Sequence, residues 1–314
     1  MGNSRWDASD WDAYTVTTAS KTRTQLFTSY GVPDDLDPAK FKGVRESRDS
    51  EANPKSNAMI IGADVTGSMG LIAESLVRKG IGTAFEEILA RAQNPVGRMV
   101  TDPHLLVMGL GDAACDKGPV QATQFEADIR IAEQLQRIWL EGHGGGNDHE
   151  SYDLAWYFAA MRTSIDCFEK RGRKGYLFTV GDEQAPHQLT KTAILRFLGD
   201  EVPADLTSQQ LLAMAERTYH VFHIVVEEGS YARGHLPAVA RSWQDMLGER
   251  VLMLSDHTKL AEVIVSAIQV NEGSSLVDTV STWSGDTSLV VRKAIGGLRP
   301  AGCLSSASGG IVRF

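Results

Sequence analysis

Asn57-Ala58-Met59-Ile60-Ile61-Gly62-Ala63-Asp64-Val65-Thr66-Gly67-Ser68-Met69-Gly70 is the stretch whose reading decides the fold. Its first half is a continuous apolar run of strand length. A run without polar alternation predicts a central strand buried on both faces. The run stops at Asp64, hydroxyls follow at Thr66 and Ser68, and a helical pattern extends from about Gly70 to Ala92. Strand, turn and helix in that order form the opening half of a βα unit.

Working outward, the same unit recurs. Leu105 to Leu110 reads as a second buried strand followed by Gly111-Asp112, and Val120 to Phe125 as an edge strand. Residues 126 to 140 look helical, with Ile129, Ile131, Leu135 and Ile138 roughly on one side. A glycine-rich loop occupies 142 to 146, and a helix is expected from about Glu150 to Lys170. Tyr176 to Val180, His220 to Val226 and Val251 to Met253 read as further strands. Helical patterns fall near 189–199, 207–217, 235–247 and 257–270. The predicted fold class is α/β: a doubly wound, mostly parallel, Rossmann-like sheet covered on both faces. Residues 1–55 read as an extended arm anchored by Trp6, Trp11, Tyr14, Phe27 and Tyr30, residues 56–272 as the main domain, and residues 273–314 as a C-terminal extension. That extension contains a helix-like Ser288 to Leu298 and a Ser/Gly-rich tail. Arg45 to Glu51 reads as a solvated linker or as a docking segment.

The bulk properties narrow the function classes. Of 314 residues, 42% are hydrophobic and 23% charged, near the globular average, so a full core is expected. A formal net charge of −9 argues against non-specific nucleic-acid binding, which needs a basic footprint. Cys115, Cys167 and Cys303 are few and far apart, with no C-x-x-C pair, so neither a disulfide framework nor a zinc ribbon is signalled and a reducing cytoplasmic setting is expected. The first residues lack the apolar region of a signal peptide, and no apolar run is long enough for a membrane span.

In open parallel sheets ligands bind beyond the carboxyl ends of the strands. Asp64, Thr66 and Ser68 leave such an end at alternate positions, so in a turn they can face one centre while Val65 packs inward. One carboxylate with neutral oxygens suits a small hard cation such as Mg²⁺. A plain capping turn, with Thr66 or Ser68 capping the next helix, accounts for the same hydroxyls. Asp182, after Tyr176 to Val180, and Asp112, after Leu105 to Leu110, fall on the same sheet edge. His143, His149 and His187 lie in nearby loops, but their irregular spacing does not suit zinc. No phosphate-binding glycine motif occurs.

Asp64-Val65-Thr66-Gly67-Ser68-Met69 resembles the D-x-[ST]-x-S core of the metal-ion-dependent adhesion site of von Willebrand factor A domains, in the form seen in the intracellular bacterial and phage branch. The resemblance covers about residues 56–270 and implies a site assembled from three loops around Mg²⁺, or Mn²⁺ or Ca²⁺. It carries Asp64, Thr66 and Ser68 over as first-loop ligands and Asp182 as the third-loop ligand, with Glu183 as the alternative. The second loop, Gly144-Gly145-Gly146-Asn147-Asp148-His149-Glu150-Ser151, lacks the family's threonine. Asn147 is then the candidate ligand, with Asp148 and Glu150 behind it and Asp112 beside the site; a tight glycine loop in which Glu150 merely starts the next helix is the other reading. The implied function is a protein-binding adaptor or assembly factor, not an enzyme, in which a partner's acidic residue completes the cation. The resemblance also suggests a MoxR-type AAA+ ATPase as partner. The competing readings are a Mg²⁺-dependent phosphoryl-transfer enzyme, which would want a second Asp where Thr66 stands, and a structural component of a phage or other large assembly.

Overall fold

The computed structural model describes residues 4–41, 43–93, 100–142 and 149–300. Its centre is a six-stranded sheet. We number its strands β1 (Ser56–Asp64), β2 (Asp102–Leu110), β3 (Val120–Ala122), β4 (Gly175–Gly181), β5 (Tyr219–Val226) and β6 (Val251–Leu254). Their spatial order is β3-β2-β1-β4-β5-β6. All neighbours are parallel except β3, which pairs antiparallel with β2. Every residue of β1, β2 and β4 is buried, which is why their sequences are continuous apolar runs rather than alternations. Successive side chains serve opposite faces. Met59, Ile61, Val107, Phe178 and Ile224 belong to one core, with Phe85, Ile264 and Val291, whereas Ile60, Leu106, Leu177 and Val221 belong to the other, with Trp156, Leu211 and Trp243.

The helical segments differ from expectation in instructive places. The stretch after Asp64 is a 3-10 turn (Gly67–Met69), an α-helical turn (Gly70–Ser75), a π-helical turn (Leu76–Gly80) and the helix α1 (Ile81–Gln93). Within 126–140 only Arg130–Leu135 is α-helical. The helix expected over 150–170 is α2 (Asp153–Met161), which ends before a short strand, Thr163–Ile165, and one helical turn, Asp166–Glu169. A distant segment causes this break. Arg45–Ser47 pairs in parallel with Thr163–Ile165, and Arg48 bonds Asp166 and Glu169. The Arg45 to Glu51 stretch is therefore docked on the domain rather than solvated.

The N-terminal arm is not extended throughout. Residues Ala8–Thr18 form a helix that Asp7 caps by accepting from the Ser9 backbone N–H at 2.8 Å. Trp6 stacks on Phe85 with ring centres 4.5 Å apart, and Trp11 and Phe27 are buried. Tyr30 is 99% exposed and anchors nothing. Further along, α3 (Ala232–Leu247) kinks at His235, two residues before Pro237, because proline excludes the helical bond and crowds the preceding turn. The segment after 272 holds two helices, Leu276–Ser281 and Gly285–Ile295, the first of which the sequence pattern did not announce. No helix among the described residues is long and apolar enough to cross a membrane.

Candidate metal centre at the sheet switch point

The strand order reverses direction between β1 and β4: the chain moves outward from β1 to β2 and β3, then returns to β4 on the other side. Such a switch point leaves a crevice beyond the carboxyl ends of the two strands. Asp64 is the last residue of β1, and Asp182 directly follows β4. Ala63 pairs with Val180, so the two carboxylates leave adjacent strands about 4.8 Å apart at nearly the same level.

Asp64 is almost wholly buried. Its Oδ1 accepts from the Thr66 backbone N–H and from the Thr66 hydroxyl, both at 2.8 Å. The same Thr66 Oγ1 lies 3.2 Å from Oε1 of Glu150, which is 1% exposed. The Tyr152 hydroxyl stands 3.4 Å from Asp64 Oδ2. Asp182 accepts through Oδ2 from the Tyr231 backbone N–H at 2.8 Å and from that of Ala232 at 3.4 Å, at the start of α3. Two glycines make this closeness feasible. A Cβ on Gly181 would fall 1.8 Å from the Tyr152 hydroxyl, and one on Gly229 would fall 2.2 Å from Asp182.

The neighbouring loops are laced to this crevice. Asp112 accepts from the Ala114 N–H at 2.9 Å and from the Ser151 hydroxyl at 3.3 Å, so it shapes its own turn and holds the residue after Glu150. A parallel bridge joins His149 to Gln184, fastening the second loop to the third. The Glu183 carbonyl accepts from Trp243 Nε1 at 2.9 Å.

Electrostatically the cluster is one-sided. Burial raises the Asp64 pKa above the ordinary carboxylate range, and the Asp182 charge adds to it, while the two bonds from Thr66 oppose it. Glu150 is raised further by burial and then by the charges of Asp64 and Glu183. Burial also raises Asp182, against the pull of the Tyr231 and Ala232 N–H groups. The charges acting on Asp64 and Glu150 are thus other carboxylates. A hydroxyl carries a single proton, yet Asp64 and Glu150 both converge on Thr66 Oγ1. Two ionised carboxylates cannot share that proton, so the arrangement calls for an added proton or a cation. The donor set of buried hard oxygens fits a divalent ion such as Mg²⁺, Mn²⁺ or Ca²⁺.

The structure therefore joins Asp64, Thr66 and Glu150 through the Thr66 hydroxyl and sets Asp182 at the end of the adjacent strand, with Asp112 and Glu183 in the flanking loops. Ser68 lies in the 3-10 turn, but its side chain falls outside the described residues, as do Asn147, Asp148 and His143. His149 and His187 have ring centres 5.7 Å apart. His223 is fully buried, bonded through Nδ1 to Thr179 at 2.8 Å and stacked on Trp243. Sequence reasoning missed Tyr152, whose approach to Asp64 depends on the missing Cβ at Gly181; a glycine after a buried strand was the available signal. A separate trio, Glu228, Asp256 and His257, gathers beyond β5 and β6. Its members are already engaged: Glu228 accepts from His257 at backbone and ring, and Asp256 caps Thr258.

No protein-family model and no curated protein matches the chain. Among solved structures it is similar to the pilus adhesin SpaC from Lactobacillus rhamnosus GG, with a TM-score of 0.40 and 10% identity over 73% of this chain and 32% of that one. It is also similar to proximal thread matrix protein 1 from the mussel byssus, with a TM-score of 0.40 and 11% identity over 68% and 47%. The chain thus spans about a third and just under half of those two proteins. Likeness at this level says nothing about function.

Proposed function

We propose that the chain is a von Willebrand factor A-type domain that binds a divalent cation at the switch point and uses it to engage a protein partner. One observation carries the reading: Asp64 and Glu150, both buried, meet on the single hydroxyl of Thr66 at the end of β1. Asp64, Thr66 and Asp182 would hold the ion, with Ser68 completing the first loop as the sequence resemblance implies. Mg²⁺ would supply Lewis acidity there and a position for an acidic group from the partner. The chain's own residues orient the ligands: Tyr152 on Asp64, and the first turn of α3 on Asp182. That α/β folds of this kind host many roles makes the site, rather than the fold, the basis of the proposal.

The test is direct. Mg²⁺ or Mn²⁺ should raise the melting temperature by mass action. Asp64→Ala should abolish that shift. A melting curve indifferent to both EDTA and Mg²⁺ would refute the metal reading, and an interaction partner retained equally in EDTA would refute its role in binding.

A further inference from the structure

The Oε1 of Glu150 faces the Thr66 hydroxyl, whereas its Oε2 is buried and has no hydrogen-bond partner among the described residues. Buried carboxylate oxygens are ordinarily satisfied, because leaving one without a donor forfeits the solvation it lost. The backbone on either side of Glu150 is held in place. On one side His149 is bridged to Gln184. On the other, the Ser151 N–H donates to the Gly111 carbonyl at 3.2 Å, and the Ser151 hydroxyl accepts from the Ala113 N–H at 3.0 Å. The residue is pinned at both neighbours, with its carboxylate aimed into the crevice that Asp64 and Thr66 line.

We propose that Glu150 is itself a direct ligand of the cation, the acidic group that this chain supplies to its own site. The inference rests on the metal reading above and changes what that reading means for a partner. A second-loop hydroxyl or amide would leave the ion electron-poor and open toward an incoming carboxylate. A buried glutamate fills that role in cis, so a partner's carboxylate binds by displacing Glu150 rather than by filling a vacant position. The expected ligand is a hard divalent ion, held by Asp64, Glu150 and the Thr66 hydroxyl, with Asp182 at the end of the neighbouring strand.

Mn²⁺ serves as the probe because it reports both affinity and bound water. In calorimetric titrations, Glu150→Gln, which keeps the side-chain volume, should weaken Mn²⁺ binding at least about tenfold. In water-proton relaxation of the Mn²⁺-loaded protein, Glu150→Ala should raise the number of exchangeable metal-bound waters by about one. Acetate should then lower relaxivity in Glu150→Ala but not in the wild type at the same concentration. Unfolding midpoints in EDTA establish that each variant is folded, and Glu150→Met, which fills the volume without a ligating oxygen, carries the water count if the alanine variant is not. Unchanged affinity, or weakened affinity with an unchanged water count, would overturn the proposal, since the latter means that Glu150 acts only through Thr66. Equal acetate responses would overturn displacement. Wild-type protein that binds no Mn²⁺ would instead bring down the metal reading itself.

Discussion

Replacing Asp64 with Asn should reverse the order of stability depending on whether a divalent ion is present. In the metal-free protein the buried Asp64 has its pKa raised from 3.8 to about 7. The sign follows from linkage. The folded state holds this proton more tightly than the unfolded chain, so ionisation disfavours folding, and metal-free stability falls as pH rises from about 4 through about 7. Ionising so buried a carboxyl destabilises the metal-free fold by on the order of a few kcal/mol at pH 8. Asn removes the charge and keeps an oxygen able to accept from the Thr66 N–H and hydroxyl, which bond Asp64 at 2.8 Å. In EDTA at pH 8, Asp64→Asn should therefore unfold at higher denaturant than the wild type, by roughly 1–3 kcal/mol, and the gap should close by pH 4. With Mg²⁺ at a hundred times its dissociation constant, the wild type should gain about 2.7 kcal/mol and the variant nothing, restoring or reversing the order. Urea unfolding at the two pH values, with and without Mg²⁺, measures all four states. An Asp64→Asn protein that is less stable than wild type in EDTA at pH 8, yet gains as much from Mg²⁺, would refute the account.

The other expectations probe different contacts. Binding of Mn²⁺ should release protons near neutral pH, because the raised carboxylates must ionise to bind; titrations in buffers of different ionisation enthalpy should show a release that shrinks, and an affinity that rises, as pH increases. Gly181→Ala should place a methyl within 1.8 Å of the Tyr152 hydroxyl and push that ring off Asp64. Calorimetry should show a loss of about 1–3 kcal/mol or more, and an unaltered melting temperature would contradict the packing described. Trp11→Ala should cost about 3 kcal/mol by urea unfolding, since this N-terminal ring is 7% exposed and packs against Trp6 and Tyr14; a negligible cost would mean that the arm does not dock.

What the sequence revealed follows from where each signal resides. The strands β1, β2 and β4 are buried on both faces, so their apolar runs are local and readable, and so are the aspartates that terminate β1 and follow β4. The break after Met161 was not readable, because it is imposed by Arg45–Ser47, a segment more than a hundred residues away. The arm misled for a related reason: its few apolar residues are spaced for contacts on the domain, and its helix is started by the Asp7 cap rather than by an amphipathic face. At the site, Glu150 could be named as standing near the metal, but its place on the Thr66 hydroxyl depends on the ties at His149 and Ser151. Tyr152 stayed hidden because its function is created by an absent atom, the Cβ of Gly181.

Topology and charge together constrain how such a site can work. The reversal of strand order between β1 and β4 opens a crevice whether or not anything binds there. What the chain places in that crevice is an excess of one sign. Like charges in a buried crevice repel one another, which is why the Asp182 charge adds to the raised Asp64 pKa and the Asp64 and Glu183 charges add to that of Glu150. On the proposed reading a divalent ion offsets two of the three charges of Asp64, Glu150 and Asp182, leaving the loaded site net negative. A partner's carboxylate approaching it would be repelled rather than drawn in, unless one of the three resident groups withdrew. Asp64 is held by two bonds from Thr66 and Asp182 by the first turn of α3, whereas Glu150 has one oxygen near a hydroxyl and the other with no donor among the described residues. Glu150 is consequently the ligand that exchange would remove at least cost, and the strength of its hold on the ion would set the affinity threshold that a partner must exceed.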